Sequence, residues 1–279
     1  MKRRRFIAIA AAAVAAPATS VAQTRWQGLA LGAEAQITLR GPGGDAALDY
    51  ALSVLRAAES EFSLYRTDSS LSRLNNAGTL RPSSQFRALI ELCDRLYRGT
   101  NGLFDPTVQT LWAALAKGSD SAAAAKQVGW DRVKMGGVVS LGPGQSLTLN
   151  GIAQGYVTDL VSAALAKAGF GETLVNIGEF RAGNADWEIG VSTPDGAMLD
   201  KVTLSQRALA VSSTNGTMIG GRSHILNARG RKPQWDTVAV LAPTAALADG
   251  LSTALCLAEE AEMSQIAAAF PMIEIRRWR

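Results

Sequence analysis

The stretch from Leu147 to Asp159 constrains this chain more than any other. The apolar run Leu147-Thr148-Leu149 passes through Asn150-Gly151-Ile152-Ala153-Gln154-Gly155 into an amphipathic segment reaching about Ala168. The pattern predicts a strand, a tight turn and a helix. Glycine at 151 and 155 removes the Cβ that would hold a ligand off the backbone. The first turn of a helix offers unpaired N–H groups and the positive end of its dipole, which suits a diphosphate. Glycines at such joints also occur merely to turn the chain, and this stretch alone does not choose between the two readings.

Around it the apolar spacing predicts a mixed fold. Residues 29–40 read as a strand, 41–44 as a glycine–proline turn, and 45–62 as a helix with Leu48, Leu52 and Leu55 on one side. Residues 84–98 and 106–116 read as helices, 122–127 as a short one, and Gly136-Gly137 as a hairpin turn. Residues 173–177, 187–192, 201–204, 208–212, 223–226 and 238–241 read as strands, and 244–258 as a helix. Strands outnumber the helices between them, so a doubly wound parallel sheet fits poorly. The expectation is α+β, a single compact mixed domain of antiparallel-rich sheets and helices.

Charge narrows the function classes. Lys2, Arg3, Arg4 and Arg5 are four of the 28 basic residues, and residues 1–22 carry no acid; the other 24 basic residues balance the 24 acidic ones. No basic face for nucleic acid is implied. The basic start leads into an apolar run over residues 6–16, too short for a permanent membrane span. Small residues at Ser20 and Ala22 point to cleavage before Gln23. Arg3-Arg4-Arg5-Phe6-Ile7 resembles a twin-arginine export signal, with a plain Sec signal as the alternative. The expected organisation is a signal peptide over 1–22, a domain over 23–279, and a periplasmic, soluble product. Cys93 and Cys256 lie in apolar helix-like runs and are expected as buried free thiols, although an oxidising compartment permits a bridge.

Four clusters carry candidate chemistry beside the glycine turn. Asp249 and Thr253 stand at i and i+4 of a predicted helix, so a carboxylate and a hydroxyl share one face, the hard oxygens Mg²⁺ prefers. Ser252 offers a third oxygen. The same residues also fit a capping Asp and a back-bonded Thr. His224, the only histidine, follows Gly220-Gly221 and suits proton transfer near neutral pH, or serves simply as a satisfied polar residue. The polar segments Tyr65 to Asn75 and Asn101 to Thr107 fit ligand-binding loops or solvated connections.

In order along the chain these motifs are Tyr65 with Ser69-Ser70-Leu71-Ser72-Arg73-Leu74-Asn75, Gly102-Leu103-Phe104-Asp105-Pro106-Thr107, Asn150 to Tyr156, Leu174 to Glu179, His224-Ile225-Leu226, and Ala248 to Ala254. The series resembles the FAD:protein FMN transferases, the ApbE family of flavin transferases, from about Leu29 to Ile275. The Gly-Ile-Ala-Gln-Gly-Tyr and Ile-Gly-Glu variants and the export signal look most like the NosX-type branch tied to nitrous-oxide respiration. The resemblance implies an ApbE-like, T-fold-related domain that binds FAD and Mg²⁺. It implies transfer of FMN to a threonine of an acceptor flavoprotein, with release of AMP. By motif match, Mg²⁺ would sit on the Gly151 carbonyl, Asp249 and Thr253, with Ser252 as a further candidate. Flavin contacts would fall on Leu31, Tyr65, Leu103, Phe104, Asp105, Thr148, Gln154 and Ile225. His224 would help deprotonate the threonine. The implied acceptor is a membrane-bound respiratory flavoprotein, of the NosR type or an electron-transport subunit.

The chain also departs from the family pattern. Gln154 stands where many members have Lys, and Thr148 where an Asp is usual. The segment Ile225-Leu226-Asn227-Ala228-Arg229-Gly230 is one residue shorter than the usual form and lacks its carboxylate and proline. Two other readings therefore stand beside the transferase: an FAD pyrophosphatase that uses water as acceptor, and a non-catalytic FAD-binding assembly factor.

Overall fold

A computed structural model describes residues 22–279; the expected signal peptide falls almost wholly outside them. Seven strands form the main sheet: β1 (Gln23–Ala30), β2 (Ala33–Arg40), β3 (Thr173–Ile177), β4 (Phe180–Ala182), β5 (Ala208–Ser213), β6 (Thr237–Ala242) and β7 (Glu274–Trp278). They lie side by side in sequence order, and every neighbouring pair is antiparallel. The helices are α1 (Gly44–Phe62), α2 (Ser70–Ala77), α3 (Ser84–Gly99), α4 (Gln109–Lys117), α5 (Ser121–Ala125), α6 (Ala153–Lys167), α7 (Ala245–Leu255) and α8 (Glu260–Ala269). This is the expected α+β domain. None of the described helices is long and apolar enough to cross a membrane.

Period-2 alternation splits the sheet's apolar residues between two cores. Val175, Ile177, Ala208, Ala210, Val238 and Val240 face the main core with α1, α6 and α7. Leu174, Leu209, Val211, Ala239 and Leu241 face the other way, under a separate hairpin of Trp187–Ser192 and Met198–Leu204. All of β6 is buried, which explains why it reads as an unbroken apolar run. Each fully buried Leu, Ile or Phe contributes roughly 1.5–3 kcal/mol of transfer free energy. Cys93 and Cys256 are buried free thiols.

Several local expectations change. Residues 29–40 are no single strand, because Ala30 pairs with Ala33 across a two-residue turn at Leu31-Gly32. Both turn residues have positive φ, 49° and 83°, as the primed hairpin turn requires. A leucine there gives no ordinary turn signal. Residues 147–149 form no strand. The Asn75 side chain supplies the pairing a neighbouring strand would have made, accepting from Leu147 N at 2.7 Å and donating to Leu147 O at 2.8 Å. Residues 70–77, expected within a polar loop, form α2, capped by Ser69 Oγ accepting from Ser72 N at 3.0 Å. Of residues 223–226 only Ser223 belongs to a strand, in a two-residue pairing of Met218–Ile219 with Arg222–Ser223. The expected helix over 106–116 opens with a 3₁₀ turn at Pro106–Val108.

Candidate active site

One cavity of about 330 Å³ opens where the ends of the main-core elements meet. Its walls bring together residues from distant parts of the sequence. The β1–β2 turn contributes Leu31, the end of α1 leads to Tyr65, and the loop after α3 supplies Leu103, Phe104 and Asp105. Thr148, Gly151 and Gln154 come from the glycine turn. His224 and Ile225 follow the small hairpin, and α7 presents Asp249 and Thr253. Ser252 stays off this wall: its buried hydroxyl donates to the Asp249 carbonyl at 3.0 Å and shares a hydrogen bond with Ser212 Oγ at 2.8 Å.

The glycine turn and α7 are locked to each other. The backbone N–H of Gly155, in the first turn of α6, donates to Asp249 Oδ2 at 3.0 Å. A Cβ at Gly155 would overlap the Ala245 carbonyl, so only glycine lets α6 and α7 approach this closely. One amide that the sequence offers to a diphosphate is therefore taken by a carboxylate. Gly151 lies against Thr253, where a Cβ would stand 3.1 Å from Thr253 Oγ1. Thr253 Oγ1 also lies 3.4 Å from Ser212 Oγ at the end of β5.

Asp249 is 3% exposed. Burial pushes its carboxyl up to about 7; the Gly155 N–H works against the rise and the nearby Asp159 charge adds to it. Glu179, in the β3–β4 turn, is equally buried and lines the same cavity. Burial raises its carboxyl well above the usual range and the Asp249 charge raises it further, against the Val211 N–H that donates to Glu179 Oε2 at 3.3 Å. Glu179 appears in the sequence as part of a motif without a chemical role. Trp112 of α4 and Ser212 also line the cavity; only amphipathic spacing and strand alternation mark them in the sequence.

His224 is held in one tautomer. Its Nδ1 lies 3.1 Å from the Thr217 carbonyl, which also accepts the His224 backbone N–H at 3.1 Å. A carbonyl only accepts, so Nδ1 carries the proton and Nε2 keeps its lone pair. Burial lowers the imidazole pKa, and the bond to Thr217 offsets this in part. The ring is therefore a neutral base at pH 7. Asp105 is partly committed to its own turn, accepting from Thr107 N at 2.9 Å and Thr107 Oγ1 at 2.6 Å, and burial raises its pKa. The Tyr65 hydroxyl bonds the Asn150 side chain at the mouth, and burial raises its pKa as well.

The donor chemistry suits a hard cation. Among the described residues no three His, Cys, Asp or Glu side chains cluster as a metal site. A carboxylate, a hydroxyl and a carbonyl at Asp249, Thr253 and Gly151 leave room for water and phosphate oxygens, the partners that Mg²⁺ keeps. Among the described residues no Lys or Arg lines the cavity, so its buried carboxylates meet no side-chain cation from them.

Fold and site together define a flavin transferase. The family model for the ApbE family matches residues 31–276, and the chain belongs to that family, whose reaction is FMN transfer from FAD to a protein. Similar solved structures include the flavin transferase ApbE from Vibrio cholerae, 25% identical over 92% of this chain and 94% of that one, with a TM-score of 0.81. The ApbE protein of Thermotoga maritima is 22% identical over 92% and 97%, with a TM-score of 0.80. The apo flavinyl transferase ApbE of Pseudomonas stutzeri is 21% identical over 93% and 95%, with a TM-score of 0.77. No curated protein sequence matched.

Proposed function

We propose that this protein transfers the FMN half of FAD to a threonine hydroxyl of an acceptor flavoprotein in the periplasm, with Mg²⁺ and with release of AMP. The observation that carries this reading is the meeting of a tautomer-fixed His224 with Asp249, Thr253 and Gly151 in one cavity. In the reaction the threonine Oγ attacks the FMN phosphorus, the bond to the bridging oxygen breaks, and AMP departs with that oxygen. His224 Nε2 takes the threonine proton. Asp249, Thr253 and the Gly151 carbonyl would hold Mg²⁺, which would supply charge neutralisation for the diphosphate. Leu31, Tyr65, Leu103, Phe104, Asp105, Thr148, Gln154 and Ile225 hold the flavin nucleotide and keep bulk water from the reacting phosphorus. Ser252 supports the site from behind, bonded to Ser212 and the Asp249 carbonyl.

Residues 1–22 act in this reading as a twin-arginine-like signal and 23–279 as the catalytic domain. The acceptor in this reading is a membrane-bound respiratory flavoprotein, of the NosR type, in keeping with the NosX-like glycine turn, or an electron-transport subunit. Incubation with FAD, Mg²⁺ and an acceptor fragment tests the reading through acid-stable flavin fluorescence on the fragment. Native protein is expected to label it and Asp249→Ala is not. Full labelling by that variant contradicts the metal assignment.

A further inference from the structure

We propose that Glu179 is a second carboxylate ligand of the divalent cation, sharing it with Asp249. The inference rests on the metal reading given above for Asp249, Thr253 and Gly151.

Glu179 and Asp249 come from different layers, one from a sheet turn and one from a helix, and both are 3% exposed while lining one cavity. Each is tethered in the same manner. One oxygen accepts a backbone N–H, Val211 to Glu179 Oε2 and Gly155 to Asp249 Oδ2. The other oxygen, Glu179 Oε1 or Asp249 Oδ1, accepts no hydrogen bond among the described residues. Two buried carboxylates in one cavity repel each other and lose hydration, costs that protonation or a shared cation offsets. The described residues supply no side-chain cation on the cavity wall. The Gln154 side chain packs on Gly178, beside Glu179, so closely that a Cβ at Gly178 would stand 2.7 Å from its Cδ. Gln154 is neutral, so it leaves the charge on Glu179 unmatched. Ser212 follows the residue that tethers Glu179 and reaches Thr253 Oγ1 at 3.4 Å, which brings the two carboxylate arms to one cluster of hard oxygens.

The test is Mn²⁺ binding to the full chain from residue 23, without FAD, followed by the electron paramagnetic resonance of free Mn²⁺. Glu179→Gln is expected to weaken Mn²⁺ binding by roughly tenfold or more, since ligand charge sets affinity at oxygen sites. In EDTA the same variant is expected to melt no lower than native protein, because it removes one of two facing charges; a purely structural Glu179 would melt lower when replaced. Glu179→Asp is a second probe: it keeps the charge but draws the carboxylate back by one methylene, which is expected to weaken Mn²⁺ binding too, and this variant decides the matter if Glu179→Gln does not fold. Native Mn²⁺ affinity in Glu179→Gln overturns the inference. If Asp249→Asn loses Mn²⁺ while Glu179→Gln keeps it, only Glu179 is misassigned. If Asp249→Asn keeps it as well, the metal reading itself fails.

Discussion

Asp159 and Asp249 cap each other's helices. Asp159 on α6 accepts the N–H groups of Ala245 and Ala246 that open α7, both at 2.9 Å. Asp249 on α7 accepts the Gly155 N–H in the first turn of α6 at 3.0 Å. Carboxylates at helix N-termini satisfy orphan amides and meet the positive dipole end. The exchange also fixes where the Asp249 carboxylate points, so helix docking and the orientation of the proposed metal ligand are one arrangement.

Asp159→Asn removes the charge from the double cap and turns a donor toward two N–H groups. We expect a loss of about 1–3 kcal/mol, seen as a thermal midpoint several degrees lower, with the cavity side chains intact. An unchanged midpoint would show that the capping exchange contributes little.

Gly155→Ala and Gly151→Ala should separate fold from site. At Gly155 the added methyl meets the fixed Ala245 carbonyl, and overpacking of this kind costs roughly 1–3 kcal/mol or more. At Gly151 it meets the Thr253 side chain at 3.1 Å, which can shift. Gly151→Ala should therefore keep the native melting profile and lose Mg²⁺ affinity. Equal melting losses in the two variants would contradict this division.

The metal-free protein should be more stable in mild acid than at neutrality. An ordinary Asp titrates near 3.9, whereas burial lifts Asp249 to about 7 and raises Glu179 well above its usual range. A folded-state pKa above the unfolded one stabilises at low pH, and that stability is lost as pH rises through the folded value. Between about pH 4 and 7 Asp249 lowers stability by up to roughly 1.4 kcal/mol per pH unit, and Glu179 acts in the same direction. Urea denaturation in EDTA at pH 5 and pH 7 should show this fall, and saturating Mg²⁺ should reduce it. Stability rising across the interval in EDTA would contradict the assignment.

His224→Gln should reduce transfer about 10²–10⁴-fold, the usual contribution of a general base, while FAD binding stays near native. The acid limb of kcat/KM should lie below pH 6.5, since burial lowers the imidazole pKa, and the variant should lose that limb. Retention of the limb in His224→Gln would assign it to another group.

Much of this architecture is legible where apolar period and burial agree. The runs over 173–177 and 238–241 stand as strands because both sheet faces are covered, and α1 and α3 follow their leucine spacing. The missed elements lack such contrast. α2 carries only Leu71 and Leu74 on a Ser, Asn and Arg background, and β7 is an edge strand containing Arg276 and Arg277. Residues 147–149 read as strand from their apolar pattern, and the Leu147 backbone is paired, but by the Asn75 side chain. For the site, His224, Asp249, Thr253 and Gly151 stand out as local motifs. Glu179 closes a motif but shows no chemical role there, since its burial in the same cavity as Asp249 is an encounter that sequence spacing does not record.

The most direct test of the central claim is the coupling between AMP release and acceptor labelling. With FAD, Mg²⁺ and a threonine-bearing acceptor, the account predicts one AMP for each FMN found by mass spectrometry on the acceptor threonine, and almost no AMP when that threonine is replaced by alanine. AMP released at the same rate with and without acceptor would make the protein an FAD pyrophosphatase. FAD binding with neither AMP nor labelled acceptor would contradict catalysis altogether.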